Sequence, residues 1–142
     1  SLNYFFNFFK THIKDYDSFI LARSDIFYTH QLTLPNLSEK GIFLPSFGHY
    51  PAPGGGEGCN DRFCIITCQN ILELYCTRLS LLKDKPEFYH AETYLNQSLI
   101  KTGLTFKQLN NFKFRLLRSN NIITTPSGFS KSGHLTNRFF KK

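Results

Sequence analysis

Methionine is absent from the 142 residues and the chain opens at Ser1, as expected of a piece of a longer protein. Long apolar runs are missing as well. The strongest cluster, Tyr4-Phe5-Phe6-Asn7-Phe8-Phe9, is interrupted by Asn7, is far too short to cross a bilayer, and is followed at once by Lys10, His12 and Lys14. No small-residue cleavage site follows it, so it does not read as a signal peptide. With neither span nor signal, a secretory lumen and the cytoplasm both stay open. Paired cysteine spacings are lacking too: Cys59, Cys64, Cys68 and Cys76 are separated by four, three and seven residues, which matches no zinc motif. Their even number permits disulfides in an oxidising compartment, whereas on a strand and a helix they are expected as buried free thiols. There is no P-loop, no dinucleotide-binding glycine fingerprint, no serine nucleophile elbow and no His-Glu-x-x-His motif.

Acid is scarce. Ten Asp and Glu stand against 17 Lys and Arg, a net charge of +7, and 16% of residues are aromatic. That balance admits a polyanion partner, but Lys and Arg occur in runs of no more than two and no Gly/Ser-rich arm is present, which speaks against a dedicated nucleic-acid binder. The length suits one domain able to bury a core.

Leu2, Phe5, Phe6, Phe9 and Ile13 recur at helical spacing, so residues 2–14 are expected to form an amphipathic helix whose phenylalanines are core. Phe19 to Ser24 reads as a buried strand, with the charged pair Arg23-x-Asp25 where it emerges. Charges at the end of a buried strand are either solvated or part of a site, because open α/β sheets bind ligands at the carboxyl ends of their strands. Gly41 to Pro45 reads as a second strand. The run Gly48 to Gly58, with Gly54, Gly55 and Gly56, is irregular and suits a plain loop or a close approach to a ligand. Asn60-Asp61-Arg62 then precedes the apolar run Cys64 to Cys68, so charge again flanks a buried element. Helices are expected from about Gln69 to Lys83 and from near Tyr89 to Thr102, the second capped by Gly103. Arg78 reads as a solvated or snorkelling side chain. Leu104 to Phe106 and Phe112 to Arg118 are expected strands, with residues 1–121 as the ordered α/β domain and 122–142 as a loose basic tail. A helix followed by a buried strand is half of a βαβ unit, so the fold class is α/β, a mixed sheet flanked by helices.

The ordered set Tyr16-Asp17-x4-Ala22-Arg23-Ser24-Asp25-Ile26, Ile42-Phe43-Leu44-Pro45, Gly54-Gly55-Gly56-x3-Asn60-Asp61-Arg62-Phe63, Tyr75-x2-Arg78, His90-Ala91-Glu92-x2-Leu95-x3-Leu99 and Phe114-Arg115-x2-Arg118 resembles a group of glycosyltransferase-like proteins related to the GT-A nucleotide-sugar glycosyltransferases. The resemblance covers roughly Leu2 to Asn121 and implies a GT-A-like, Rossmann-like domain or its latter portion. It also implies transfer of a sugar from a nucleotide-sugar to a glycan or protein acceptor. Asp25 then stands at the position of the metal-binding Asp-x-Asp motif, where Mn²⁺ or Mg²⁺ would bridge the donor diphosphate, with Arg23 in place of the first acid. Arg23, Arg62 and the Gly54-Gly55-Gly56 loop lie on the donor side; Asp61 stands beside a sugar hydroxyl or anchors Arg62, and Glu92 takes the place of the general base. Two other expectations compete: a basic, non-catalytic α/β module for nucleic acid or another polyanion, and a cysteine hydrolase with Cys59 or Cys64 near His49 or His90.

Overall fold

Two faces of the same strands are apolar, and that decides the architecture. The computed structural model describes residues 2–47, 58–78, 91–118 and 122–124. Along β3 (Ile42–Pro45) and β4 (Phe63–Ile66) every residue is buried. Ile42, Leu44, Cys64 and Ile66 point into one core, whereas Phe43, Phe63 and Ile65 point into another. A strand with side chains alternating between two buried sides must be covered twice.

The central sheet has the order β1-β4-β3-β5, with β1 at Phe19–Ala22 and β5 at Phe106–Leu109. β4 runs antiparallel to β1 and β3, while β3 and β5 are parallel, so the sheet is mixed. Helices α1 (Leu2–Ile13), α2 (Gln69–Thr77) and α3 (Ala91–Lys101) supply Phe6, Ile13, Leu72, Tyr75, Leu95 and Leu99 to the first core. The second core is closed by an antiparallel sheet of β2 (Ile26–Tyr28), β6 (Phe114–Arg118) and β7 (Ile122–Thr124), through Ile26, Phe114 and Leu116. The α/β expectation of a mixed sheet with flanking helices is therefore met, with a second sheet on the far side.

Several local expectations shift. β1 is an edge strand whose residues alternate between half-buried and exposed, with Ile20 53% exposed, so it is not the fully buried strand its composition suggested. Phe5 and Phe9, expected as core, stay 38% and 39% exposed and pack on each other at 4.7 Å. The strand expected at Leu104 begins at Phe106, because Leu104 is used to end α3. Its N–H donates to Leu99 O at 3.0 Å and the N–H of Gly103, at φ +68°, donates to Ile100 O at 3.1 Å, the paired bonds of a Schellman cap. β7, at Ile122–Thr124, pairs with β6 within the segment expected as a loose tail. The expected continuation of α2 to Lys83, the start of α3 at Tyr89, and the tail beyond Thr124 lie outside the described residues.

Strand direction fixes where a site can form. The carboxyl ends of β1, β3 and β5 and the amino end of β4 share one edge of the sheet.

Candidate functional site

At that edge, the segment before β4 is pinned from three sides. Asn60 is fully buried; its Nδ2 donates to Phe47 O at 2.8 Å and its Oδ1 accepts from Arg62 N at 3.0 Å. The Cys59 N–H donates to Glu92 O at 2.8 Å, joining the segment to the start of α3. The Arg23 N–H donates to Arg62 O at 3.2 Å, joining it to the end of β1. A buried amide satisfied in this way holds its neighbours in register, so Asp61 and Arg62 sit on a fixed turn.

Beside this turn lies a cleft of about 500 Å³. One wall is apolar, made by Leu2 and Phe5 of α1 and by Ile20 to Ala22 of β1; the other end carries Arg23, Asp61, Arg62 and Arg78, with Tyr75 of α2. The expected site residues divide accordingly. Arg23, Asp61 and Arg62 line the cleft, while Asp25 and Glu92 hold two of these arginines. Asp25 takes Arg23 in a fork, Nε to Oδ1 at 2.8 Å and Nη2 to Oδ2 at 2.6 Å. Glu92, 7% exposed, accepts from Arg62 Nη2 at 2.6 Å. Gly54, Gly55 and Gly56 lie outside the described residues, as do His49 and His90.

Electrostatics bind the group together. The Asp25 hydrogen bond pushes the Arg23 guanidinium above its usual value, and the charges of Asp61 and Glu92 add to that. Burial is the largest influence on Asp61, raising its carboxyl above 3.8, and Glu92 raises it further while Arg62 and Arg78 pull it back. Asp25, Asp61 and Glu92 each interact with an arginine of this group, and of the three only Asp61 lines the cleft.

A divalent cation needs several oxygen ligands at once. Both carboxylate oxygens of Asp25 accept N–H groups from Arg23, and among the described residues no three His, Cys, Asp or Glu side chains stand close enough to hold an ion. These residues do not by themselves fit Mn²⁺ or Mg²⁺.

Two contributors were not assigned to a site from the sequence. Asn60 was read only as part of a motif, since nothing local announces its bond to Phe47. Arg78, expected as a solvated or snorkelling side chain, lies over the Tyr75 ring at 4.5 Å from its centroid and donates from Nη1 to Tyr75 O at 2.7 Å. Its position one helical turn from Tyr75 was the available signal. All four cysteines are thiols rather than disulfides, and burial pushes Cys64 up to about 12, which makes it a poor nucleophile.

Compared with protein-family models, curated proteins and solved structures, the chain matches none.

Proposed function

We propose that this chain is a glycosyltransferase-like domain that transfers a sugar from a nucleotide-sugar donor to a hydroxyl of a glycan or protein acceptor. The observation that supports this is the cleft itself: one carboxylate, Asp61, flanked by guanidiniums at the end of β1 and facing an apolar wall. A nucleotide-sugar has a flat apolar base, an anionic diphosphate and a polar sugar, and a half-apolar, half-cationic cleft of this volume is complementary to such a ligand.

In this proposal the acceptor oxygen attacks the anomeric carbon and forms the new glycosidic bond. The bond from that carbon to the donor phosphate oxygen breaks, and its electron pair leaves with the nucleoside diphosphate. Asp61 accepts the proton of the acceptor hydroxyl, while Arg23 and Arg62 offset charge on the leaving group. Burial and Glu92 favour the protonated form of Asp61, which raises its basicity once ionised. Glu92, closed off by its bond to Arg62, serves in this scheme to position that arginine. A polyanion-binding module remains the alternative on charge alone. Such a module would present a continuous Lys/Arg face, whereas these arginines converge on one cleft.

Incubation with a panel of uridine and guanosine diphosphate sugars, read by release of the nucleoside diphosphate, tests the reading. The expected result is turnover of at least one donor, lost in Asp61→Asn while donor binding persists. If no member of the panel is bound or consumed, sugar transfer is not the function.

A further inference from the structure

We propose that Arg78, together with Arg23 and Arg62, forms a guanidinium cradle that holds the diphosphate of an anionic ligand without a divalent cation. The proposal rests on the sugar-transfer reading for what the diphosphate carries, and on the cleft alone for the diphosphate.

Three separate elements bring these arginines to one cleft: the end of β1, the turn before β4 and the end of α2. Arg78 differs from the other two in what surrounds it. Arg23 is forked by Asp25 and Arg62 is joined to Glu92, but among the described residues Arg78 makes no ion pair with a carboxylate. Its head is nevertheless held in place, by Tyr75 O on Nη1 and by the Tyr75 ring beneath it. Its Nε–H is buried and has no acceptor among the described residues. A buried guanidinium N–H without an acceptor carries a desolvation cost that an anionic oxygen would remove. Rigidly placed guanidiniums suit phosphate oxygens because their N–H groups are coplanar and permanently charged.

Three guanidiniums and the carboxylate of Asp61 line the cleft itself, and with Arg23 held by Asp25 and Arg62 by Glu92, Arg78 is the lining guanidinium without a carboxylate partner among the described residues. Asp25 and Glu92 sit behind the arginines they hold, and fix their direction. Where a metal ion would neutralise a diphosphate, this chain presents fixed cations, consistent with a donor set that does not fit Mn²⁺ or Mg²⁺.

Titration calorimetry with inorganic pyrophosphate in EDTA tests the cradle, with sulfate at matched ionic strength as the control anion. Saturable binding of pyrophosphate well above that of sulfate is expected in the wild type. Arg78→Gln is expected to weaken it about tenfold or more, with Arg78→Lys intermediate because the charge is kept and the fork is lost. Should Arg78→Gln fail to fold by circular dichroism, Arg23→Gln decides, since that side chain is 49% exposed and its loss leaves the core untouched. Pyrophosphate that binds only after Mg²⁺ or Mn²⁺ is added, that binds no better than sulfate, or that binds the variants as it binds the wild type overturns the cradle. Nucleotide-sugar turnover without metal-free pyrophosphate binding would remove the cradle and leave sugar transfer standing. Pyrophosphate binding with no turnover of any donor would do the reverse.

Discussion

Asp61 is surrounded by charges of both signs, and the balance between them has a sign that can be measured. Because burial and Glu92 outweigh Arg62 and Arg78, the folded chain holds a proton on Asp61 more tightly than the unfolded chain does at 3.8. Below that value both states are protonated and the group adds no penalty. As pH rises from 3.8 through the raised folded value, the unfolded state releases its proton first, so stability is lost across that window and stays lower above it. Asp61→Asn removes the ionisation. The melting temperature of the variant minus that of the wild type is therefore expected to grow from acid toward neutral pH and then level off; a difference that is flat or shrinks with pH counts against this account. Thiols make a second residue-scale expectation. Burial holds Cys64 up at about 12 and Cys76 up at about 11, and Cys59 is buried, whereas Cys68 is half-buried at the start of α2. Iodoacetamide on the native protein, followed by peptide mass spectrometry, should label Cys68 first. At this scale the sequence was informative where partners are close along the chain. Arg23-x-Asp25 was visible as a charged pair, but the bond from Arg62 to Glu92 spans 30 residues and only the fold discloses it.

Elements were legible where period and punctuation agreed. Of Ala91, Leu95, Ser98 and Leu99, which helical spacing turns inward, the last three are buried and Ala91 at the helix start is exposed, and Gly103 closes the helix in the left-handed region. That position gives a clean test, since a Cβ added at Gly103 meets nothing within 4 Å and only backbone strain is at stake. Gly103→Ala is expected to lower stability by about 1 kcal/mol, measured by urea denaturation, because an L-residue is disfavoured at this φ. An unchanged midpoint would mean that the cap relaxes into another geometry. Elements were illegible where burial depends on neighbours distant in sequence. Phe19 to Ala22 has the composition of a central strand, yet among the described residues β4 is its only partner in the sheet and Ile20 is left exposed on the edge. Three-residue β2 carries too short a pattern to be read at all; its pairing with β6, roughly 90 residues away (from the register of Ile26 with Leu116), is what defines it. Phe5 illustrates the same limit. Helical spacing places it on the face turned toward the sheet, but only the fold shows that this face also borders a cleft.

At the scale of the whole molecule, β3 and β4 are shared by two cores, and that sharing has a mechanical consequence. Leu44 packs among the helices and is fully buried, while Phe112 packs between the sheets, 4.5 Å from the Phe63 ring and 2% exposed. If the two cores were independent, damage to one would melt its own layer and spare the other. Since the same backbone strands separate and support both, loss of either is expected to propagate through β3 and β4 to the whole described fold. Leu44→Ala should cost about 2–5 kcal/mol and Phe112→Ala about 3–5 kcal/mol, each a large share of the 5–15 kcal/mol typical of a domain. Helical circular dichroism and tyrosine fluorescence should then report one coincident urea transition in both variants, displaced to lower concentration with little change in slope. The cleft gives a third probe of the same cooperativity, because Leu2, Leu21 and Tyr75 of its lining belong to the core that contains Leu44. Phe112→Ala, on the opposite side of the sheet, should therefore abolish anion binding only at urea concentrations where the helices melt as well. Binding lost well before the helical signal falls would show that the two layers uncouple and that the cleft depends on the second sheet directly.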